Sequence, residues 1–432
     1  MNKPCGAGCG EMSGWGTPQT DTSLRTARRV RPRRGLGVRF CPFREVTPFW
    51  ICPLRHASAA PCPSISWSSP SDAPTTARLV LEALRRAWPA LEGGIAPAFE
   101  NAVLAGCAVL LRHRLPIVLL HDLFTDAPWR DTLLAAVTDP TVRGFFRRLD
   151  RWGAREQAQY LESTLRRAFL LGFSPVLRAS LGQSENSLRW RERFDRGQSL
   201  IVNLALPDAD ARRLLGCFFT VFAEQAALQR ADVAPGERGR GHTLILDEFA
   251  DVASQSGTAL THILEQCRKF GLALVLANQT GGQLNERVES ALANVGTSVV
   301  FRLGRADAEA AARRVGATDP WRVKHLVRDR GARQRMHPLY TSLAEQWEGW
   351  AQTIQRLKSR SVVVRRANGR VAMLTTPSLP DPVVDAERLA VVEQHFLATW
   401  FTPQPVVEEE LAALRASVAP PAIQRRTRRR LP

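Results

Sequence analysis

The chain has 432 residues, 44% of them apolar and 23% charged, which is enough for two or three domains with a large buried core and too apolar for a wholly disordered protein. Its net charge of +18 comes from 55 arginines and 4 lysines against 41 acids. The excess is concentrated at the ends: residues 1–60 hold ten basic residues against three acids, and five arginines follow position 424. Basic ends can touch nucleic acid or anionic lipid, or can simply be solvated. The arginine skew also suits a GC-rich coding sequence. The best candidate for a span, 104–120, is broken by Arg112-His113-Arg114 and Pro116, so no membrane-spanning helix is expected, and the N-terminus lacks the continuous apolar core of a signal peptide. Five of the eight cysteines precede residue 63 and the others are isolated, a pattern that predicts a cytoplasmic protein with reduced thiols.

Residues 1–72 are rich in Pro, Gly, Ser, Arg and Cys and show no helical or strand period, which predicts a disordered leader or a spurious start. Cys5, Cys9, Cys41, Cys52 and Cys62, with His56, contain no Cys-x₂-Cys pair and fit no common zinc module. From about residue 73 to 197 the chain reads as an all-α domain. Val80, Leu84, Ala87 and Trp88 share one helical face, as do Phe99, Ala102, Val103, Gly106 and Leu110. Asp126-Ala127-Pro128 and Asp139-Pro140 open further helices, and another runs through 156–170.

At Gln198 the pattern changes to alternating strands and helices, the signature of a helix-covered parallel sheet. Strands are predicted at 199–204, 243–246, 272–276 and 296–301. Helices are predicted from Asp208 through Ala226, across Leu260, Ile263, Leu264 and Cys267, and over 307–315. The apolar run Thr-Leu-Ile-Leu at 243–246 reads as a strand buried on both faces. It ends on Asp247-Glu248, and the carboxyl edge of such a sheet is where ligands bind. There Asp247 suits a Mg²⁺ shell, and Glu248 suits polarisation of an attacking water. The next two strands end on Gln279, which can orient water, and on Arg302, which can neutralise transition-state charge. All three strand ends are expected on one edge of one sheet. The bland alternatives are a helix-capping Asp247, a Gln279 that satisfies loop backbone, and an Arg302 paired with Asp307 or Glu309. Beyond Ala317, residues 361–376 alternate about Asn368-Gly369 as a β-hairpin, and a helix over 386–401 precedes a Pro-rich basic tail.

LILDEFADVAS, ILEQCRKFGLALVLANQT and NVGTSVVFRLGRADAE together resemble the C-terminal half of the HerA/FtsK-like DNA-pumping ATPases. The branch they are most similar to is the conjugative coupling proteins of type IV secretion, in the TraM-recognition region of TraD and TraG. LGQSENSLRWRERFDRGQSLIVNL resembles the lead-in strand of that branch, the helical block its all-α insertion, and RSVVVRRANGRVAMLTTPSLPDP its closing hairpin. The likeness covers roughly residues 85–385. It implies an α/β fold: an incomplete RecA-like parallel-sheet core with an all-α insertion and a C-terminal β-hairpin. The implied boundaries are 73–197 for the insertion, 198–385 for the core and 386–432 for a terminal helix and basic tail. It also implies ATP and Mg as cofactors, DNA as substrate, a hexamer-like ring, and a DNA-processing accessory protein or secretion channel as partner. In site terms, Asp247 and Glu248 become the Walker B pair, Gln279 the sensor and Arg302 an arginine finger. Arg268, with Lys269, could approach the phosphates or DNA, or could end a solvated helix.

The phosphate-gripping loop of that family departs from this sequence. No Gly-x₄-Gly-Lys is present, and none of Lys3, Lys269, Lys324 and Lys358 follows a glycine. Arginine does not replace lysine at such a site. The expectation is therefore a truncated or frame-disrupted coupling ATPase that keeps the water-activating half of its site and neither binds ATP tightly nor hydrolyses it alone. The rival readings are a non-catalytic docking or DNA-binding module and a fragment of a chromosomal HerA-type helicase.

Overall fold

The computed structural model describes residues 50–53, 73–88, 97–183, 188–234, 241–249, 263, 267–279, 286–328, 336–380, 385–400 and 402–418. The rest of the expected leader, with Cys5, Cys9, Cys41, Cys62 and His56, as well as Leu260, Leu264 and the basic tail, lie outside them. No helix among the described residues is long and apolar enough to cross a membrane.

Among the described residues from 73 to 228 run nine α-helices: α1 (Ala73–Ala87), α2 (Pro97–Arg112), α3 (Leu120–Thr125), α4 (Ala127–Ala135), α5 (Pro140–Leu149), α6 (Ala154–Phe173), α7 (Pro175–Leu181), α8 (Trp190–Arg196) and α9 (Ala209–Leu228). Their starts follow from capping chemistry. The Asp126 carboxylate accepts the Trp129 N–H at 3.1 Å, Asp139 accepts that of Thr141 at 2.7 Å, and Asp208 accepts those of Asp210 and Ala211 at 3.0 and 3.1 Å. Proline follows two of these caps, where its missing N–H costs nothing. Gly106 lets α2 approach α3, since a Cβ there would strike Leu120 and crowd Phe124. The predicted helical faces build one apolar core, with Phe99, Phe146, Phe218, Leu84 and Leu110 fully buried.

Helix α9 joins this core to the strands. Leu214, Leu215, Phe218 and Val221 sit in the helical core, whereas Ala223, Ala226 and Ala227 pack with Phe194, Cys267 and Leu272 beneath the central strands. Between α1 and α9, Arg86 meets Glu224 at 3.0 Å with both side chains only 7% exposed, and Arg86 also binds Glu82 at 2.9 Å. Cys107, Cys217 and Cys267 carry no disulfide, and burial pushes each thiol up to about 12, which marks them as packing residues.

The strands do not form the single parallel sheet expected. The strand β1 (Trp50–Pro53), inside the supposed leader, pairs in parallel with β2 (Leu200–Asn203). Separately, β3 (His242–Leu246) pairs in parallel with β4 (Leu272–Leu276). After α10 (Glu286–Leu292), β5 (Thr297–Val300) is not part of that pair: it runs antiparallel to β8 (Ser361–Arg366), which pairs with β9 (Val371–Thr375) as the predicted hairpin. Gly369 takes φ +77° at its turn, a region glycine enters without steric cost. Expected burial of β3 on both faces is corrected too. Leu244 and Leu274 face the α9 layer, while Ile245, 66% exposed, points to the side that no described residue covers.

Besides β1 and α10, several later elements escaped sequence reading. Between α11 (Arg305–Val315) and α12 (Leu343–Gln355), β6 (Val323–Arg328) and β7 (Met336–Tyr340) form an antiparallel ribbon. After α13 (Ala386–Trp400), exposed over residues 386–395, comes α14 (Gln404–Ser417) where a Pro-rich tail was expected. Val407 and Leu411 bury α14 in the helical core. Glu408 binds Arg178 of α7 at 2.7 Å, and Arg415 bridges Asp122 and Asp126, the latter at 3.1 Å.

Two stability predictions follow from this packing. Glu224→Ala leaves the buried Arg86 with only the half-exposed Glu82 as partner among the described residues and should cost about 2–3 kcal/mol, whereas Arg86→Met with Glu224→Leu should cost less, as read by urea denaturation. His242 donates its Nε2–H to the Phe194 carbonyl and lies on the Phe194 ring at 4.3 Å; burial holds its pKa below the ordinary histidine value. Its folded form thus binds a proton less readily than the unfolded chain does. Stability from this residue is intact above about pH 6.5 and falls as acidity passes through the depressed folded pKa. His242→Phe should flatten that part of the stability–pH curve.

Candidate functional site

The β3–β4 ladder runs in register from His242 opposite Leu272 to Leu246 opposite Leu276. Backbone bonds extend it past the strand ends: Ala277 N–H donates to Leu246 O at 2.9 Å, and Phe249 N–H donates to Ala277 O at 3.1 Å. The acidic pair lies inside this closing turn. Phe249 is 3% exposed and packs with Val288 of α10 and with Leu246, Leu274 and Leu276. Bringing Phe249 into that pocket directly after the strand puts Glu248 at φ +52°, in the left-handed region that a residue with a Cβ enters at a cost of about 1–3 kcal/mol. The burial of Phe249 and its ladder bond offset that cost.

The side chains follow from this turn. Asp247 Oδ1 accepts the Glu248 N–H at 3.1 Å. The Gln279 amide Nε2, 31 residues further on, donates to Glu248 Oε1. Asp247, Glu248 and Gln279 are therefore together at the carboxyl edge of a parallel strand pair, all three open to solvent. A carboxylate steered by one amide donor, with a second oxygen facing water, has the geometry to orient and polarise a water molecule.

The other two residues singled out in the sequence are elsewhere. Arg268 sits in the short 3₁₀ turn Cys267–Phe270 that leads into β4, at the amino end of the pair. A five-residue strand spans about 16 Å, longer than an arginine side chain, so Arg268 cannot serve the acidic edge of its own chain. Arg302 follows β5, whose hydrogen bonds go to β8 and not to β3 or β4. Apolar pattern and a polar last residue identify a strand end but not the strand it pairs with. Arg302 is exposed and forms no ion pair among the described residues; Glu309, offered as its partner, instead binds Arg305, which also grips Glu348 at 2.7 Å. The left-handed Glu248 and the Phe249 anchor carry no sequence signal of their own.

The residues present fit one half of a Mg-nucleotide site. Magnesium is commonly held by one or two carboxylates together with substrate phosphates, which Asp247 and Glu248 can supply. The phosphate grip does not fit: Lys269 is at the opposite edge with its ammonium over the Phe270 ring, and Lys324 is bound to Glu345. Among the described residues, no group of three or more His, Cys, Asp and Glu could hold a metal by itself.

No family model matches the chain, and no curated relative matches it. Solved structures resemble it in fold. The bacterial conjugative coupling protein TrwB in an unbound monoclinic form is 18% identical with a TM-score of 0.49, covering 78% of this chain and 75% of that one. TrwB in complex with ADP and Mg²⁺ is 17% identical with a TM-score of 0.48, covering 78% and 76%. TrwB with the non-hydrolysable GTP analogue GDPNP is 17% identical with a TM-score of 0.47, covering 77% and 74%. At these identities and scores the likeness is one of fold, and it is to the TrwB conjugative coupling proteins that this chain is similar.

Proposed function

We propose that the chain carries the water-activating part of a HerA/FtsK-like conjugative DNA-transfer ATPase of the type IV secretion coupling branch. The observation that carries this reading is the contact of Gln279 with Glu248, beside Asp247, at the carboxyl edge of the parallel β3–β4 pair. The motif strings LILDEFADVAS and LANQT place the same residue types at the same strand ends. On this reading Asp247 holds the Mg²⁺ shell, Glu248 polarises the attacking water, and Gln279 orients it. Arg302, on a separate sheet and unpaired among described residues, would act toward a neighbouring subunit of a hexamer-like ring. Residues 73–197 correspond to the all-α insertion and 198–385 to the RecA-like core. The substrate is DNA, the setting is the cytoplasm, and the partner is a DNA-processing accessory protein or the secretion channel.

Because no Gly-x₄-Gly-Lys is present, the chain alone should neither hydrolyse ATP measurably nor bind a fluorescent ATP analogue at micromolar concentration. At millimolar Mn·ATP, paramagnetic broadening should appear at the Gln279 side-chain amide and vanish in Asp247→Asn. Broadening that is absent there, or that survives the substitution, sinks the assignment. Glu248→Gly relieves the left-handed backbone and should raise thermal stability by about 1 kcal/mol. The same change should abolish any water activation measured once a phosphate-gripping chain is supplied.

A further inference from the structure

The β6–β7 ribbon is exposed on both faces, which is unusual for a two-stranded element because such hairpins are marginal unless something covers them. Its base is fixed. The buried Gln346 side chain accepts the Asp319 N–H at 2.9 Å and donates to the carbonyls of Asp319 and Thr341 at 2.7 and 3.2 Å, and Thr341 N–H donates to Arg322 O at 2.8 Å. The ribbon is thus stapled to α12 at one end, and no described residue covers its strands beyond the Lys324–Glu345 contact.

Its surface combines two chemistries. Trp321 is 73% exposed and meets Tyr340 edge-on, with centroids 5.6 Å apart and planes at 83°, which leaves indole surface open to solvent. From 321 to 340 the chain carries six arginines and lysines against the single acid Asp329, and three of the arginines, at 330, 333 and 335, lie in the segment joining the strands. Lys324 is committed to Glu345, but Arg322 and Arg328 form no ion pair among the described residues. An open aromatic face flanked by cations is how proteins hold unpaired bases: the ring stacks and the cations follow the phosphates. A duplex hides its base faces from such a platform. A hairpin that enters a membrane would lead with apolar residues, whereas here the joining segment is the most highly charged part.

We propose that the β6–β7 ribbon is a binding site for single-stranded nucleic acid, with Trp321 and Tyr340 as the stacking platform and Arg322 and Arg328 on the phosphates. The ribbon alone carries this inference, and it stands or falls independently of the nucleotide-site reading.

The test uses the full chain and a fluorescent oligothymidylate, with a duplex of equal length and phosphatidylserine vesicles as separate arms. The single strand should bind at least about tenfold tighter than the duplex. Trp321→Ala should weaken that binding about tenfold without changing its salt dependence. Arg322→Gln with Arg328→Gln should instead lower the slope of log affinity against log salt by about 0.7 per cation removed. Unchanged melting by circular dichroism confirms that these exposed positions leave the fold intact. The proposal is overturned if both variants bind as the parent does, in which case the basic ends of the chain account for the affinity. Equal affinity for the duplex, or binding to vesicles alone, overturns it as well.

Discussion

The described structure depends on α9 being buried from two sides at once. Its earlier turns complete the helical core through Leu214, Phe218 and Val221, and its last turns support β3 and β4 through Ala223, Ala226 and Ala227. Apolar contact alone would tolerate a small slide of this helix, because neighbouring turns offer similar surface. The Arg86–Glu224 pair removes that freedom: a shift of one residue, about 1.5 Å, would leave two buried charges out of hydrogen-bonding reach. Small alanines toward the strands let β3 and β4 approach closely, so the position of the acidic edge is set from beneath by the same helix.

That edge shows how a surface site can be held by a buried neighbour. Glu248 and Gln279 are both solvent-exposed and would wander if they depended only on each other. Instead Phe249 is locked between β4 and α10, and the backbone conformation required to reach that pocket aims the preceding carboxylate at the end of β4. The orientation of the acid is a by-product of where the aromatic ring must go.

Much of this was legible in the sequence, for identifiable reasons. Helical faces repeat every three or four residues, and aspartates before prolines mark helix starts, so α1, α2, α4, α5 and α9 could be read directly. The ends of β3 and β4, and the turn at Asn368-Gly369, were legible in the same way. What escaped was pairing and coverage. Nothing in the valines of β5 says that they join β8 rather than β4, and the apolar run of β3 does not reveal that Ile245 lies on a face no described residue covers. The β6–β7 ribbon lacks alternation because it has no inside, and the flanking prolines of α14 masked a helix that needs only Val407 and Leu411 to dock.

Helix α14 gives the chain a closed course. Residues that follow the strands in sequence return to α3, α4 and α7, where Glu408 and Arg415 fasten them to the helical core. A pull on α14 is therefore borne first by helices laid down 230 to 293 residues earlier, and the strands bearing the acidic edge stay slack until that fastening gives way.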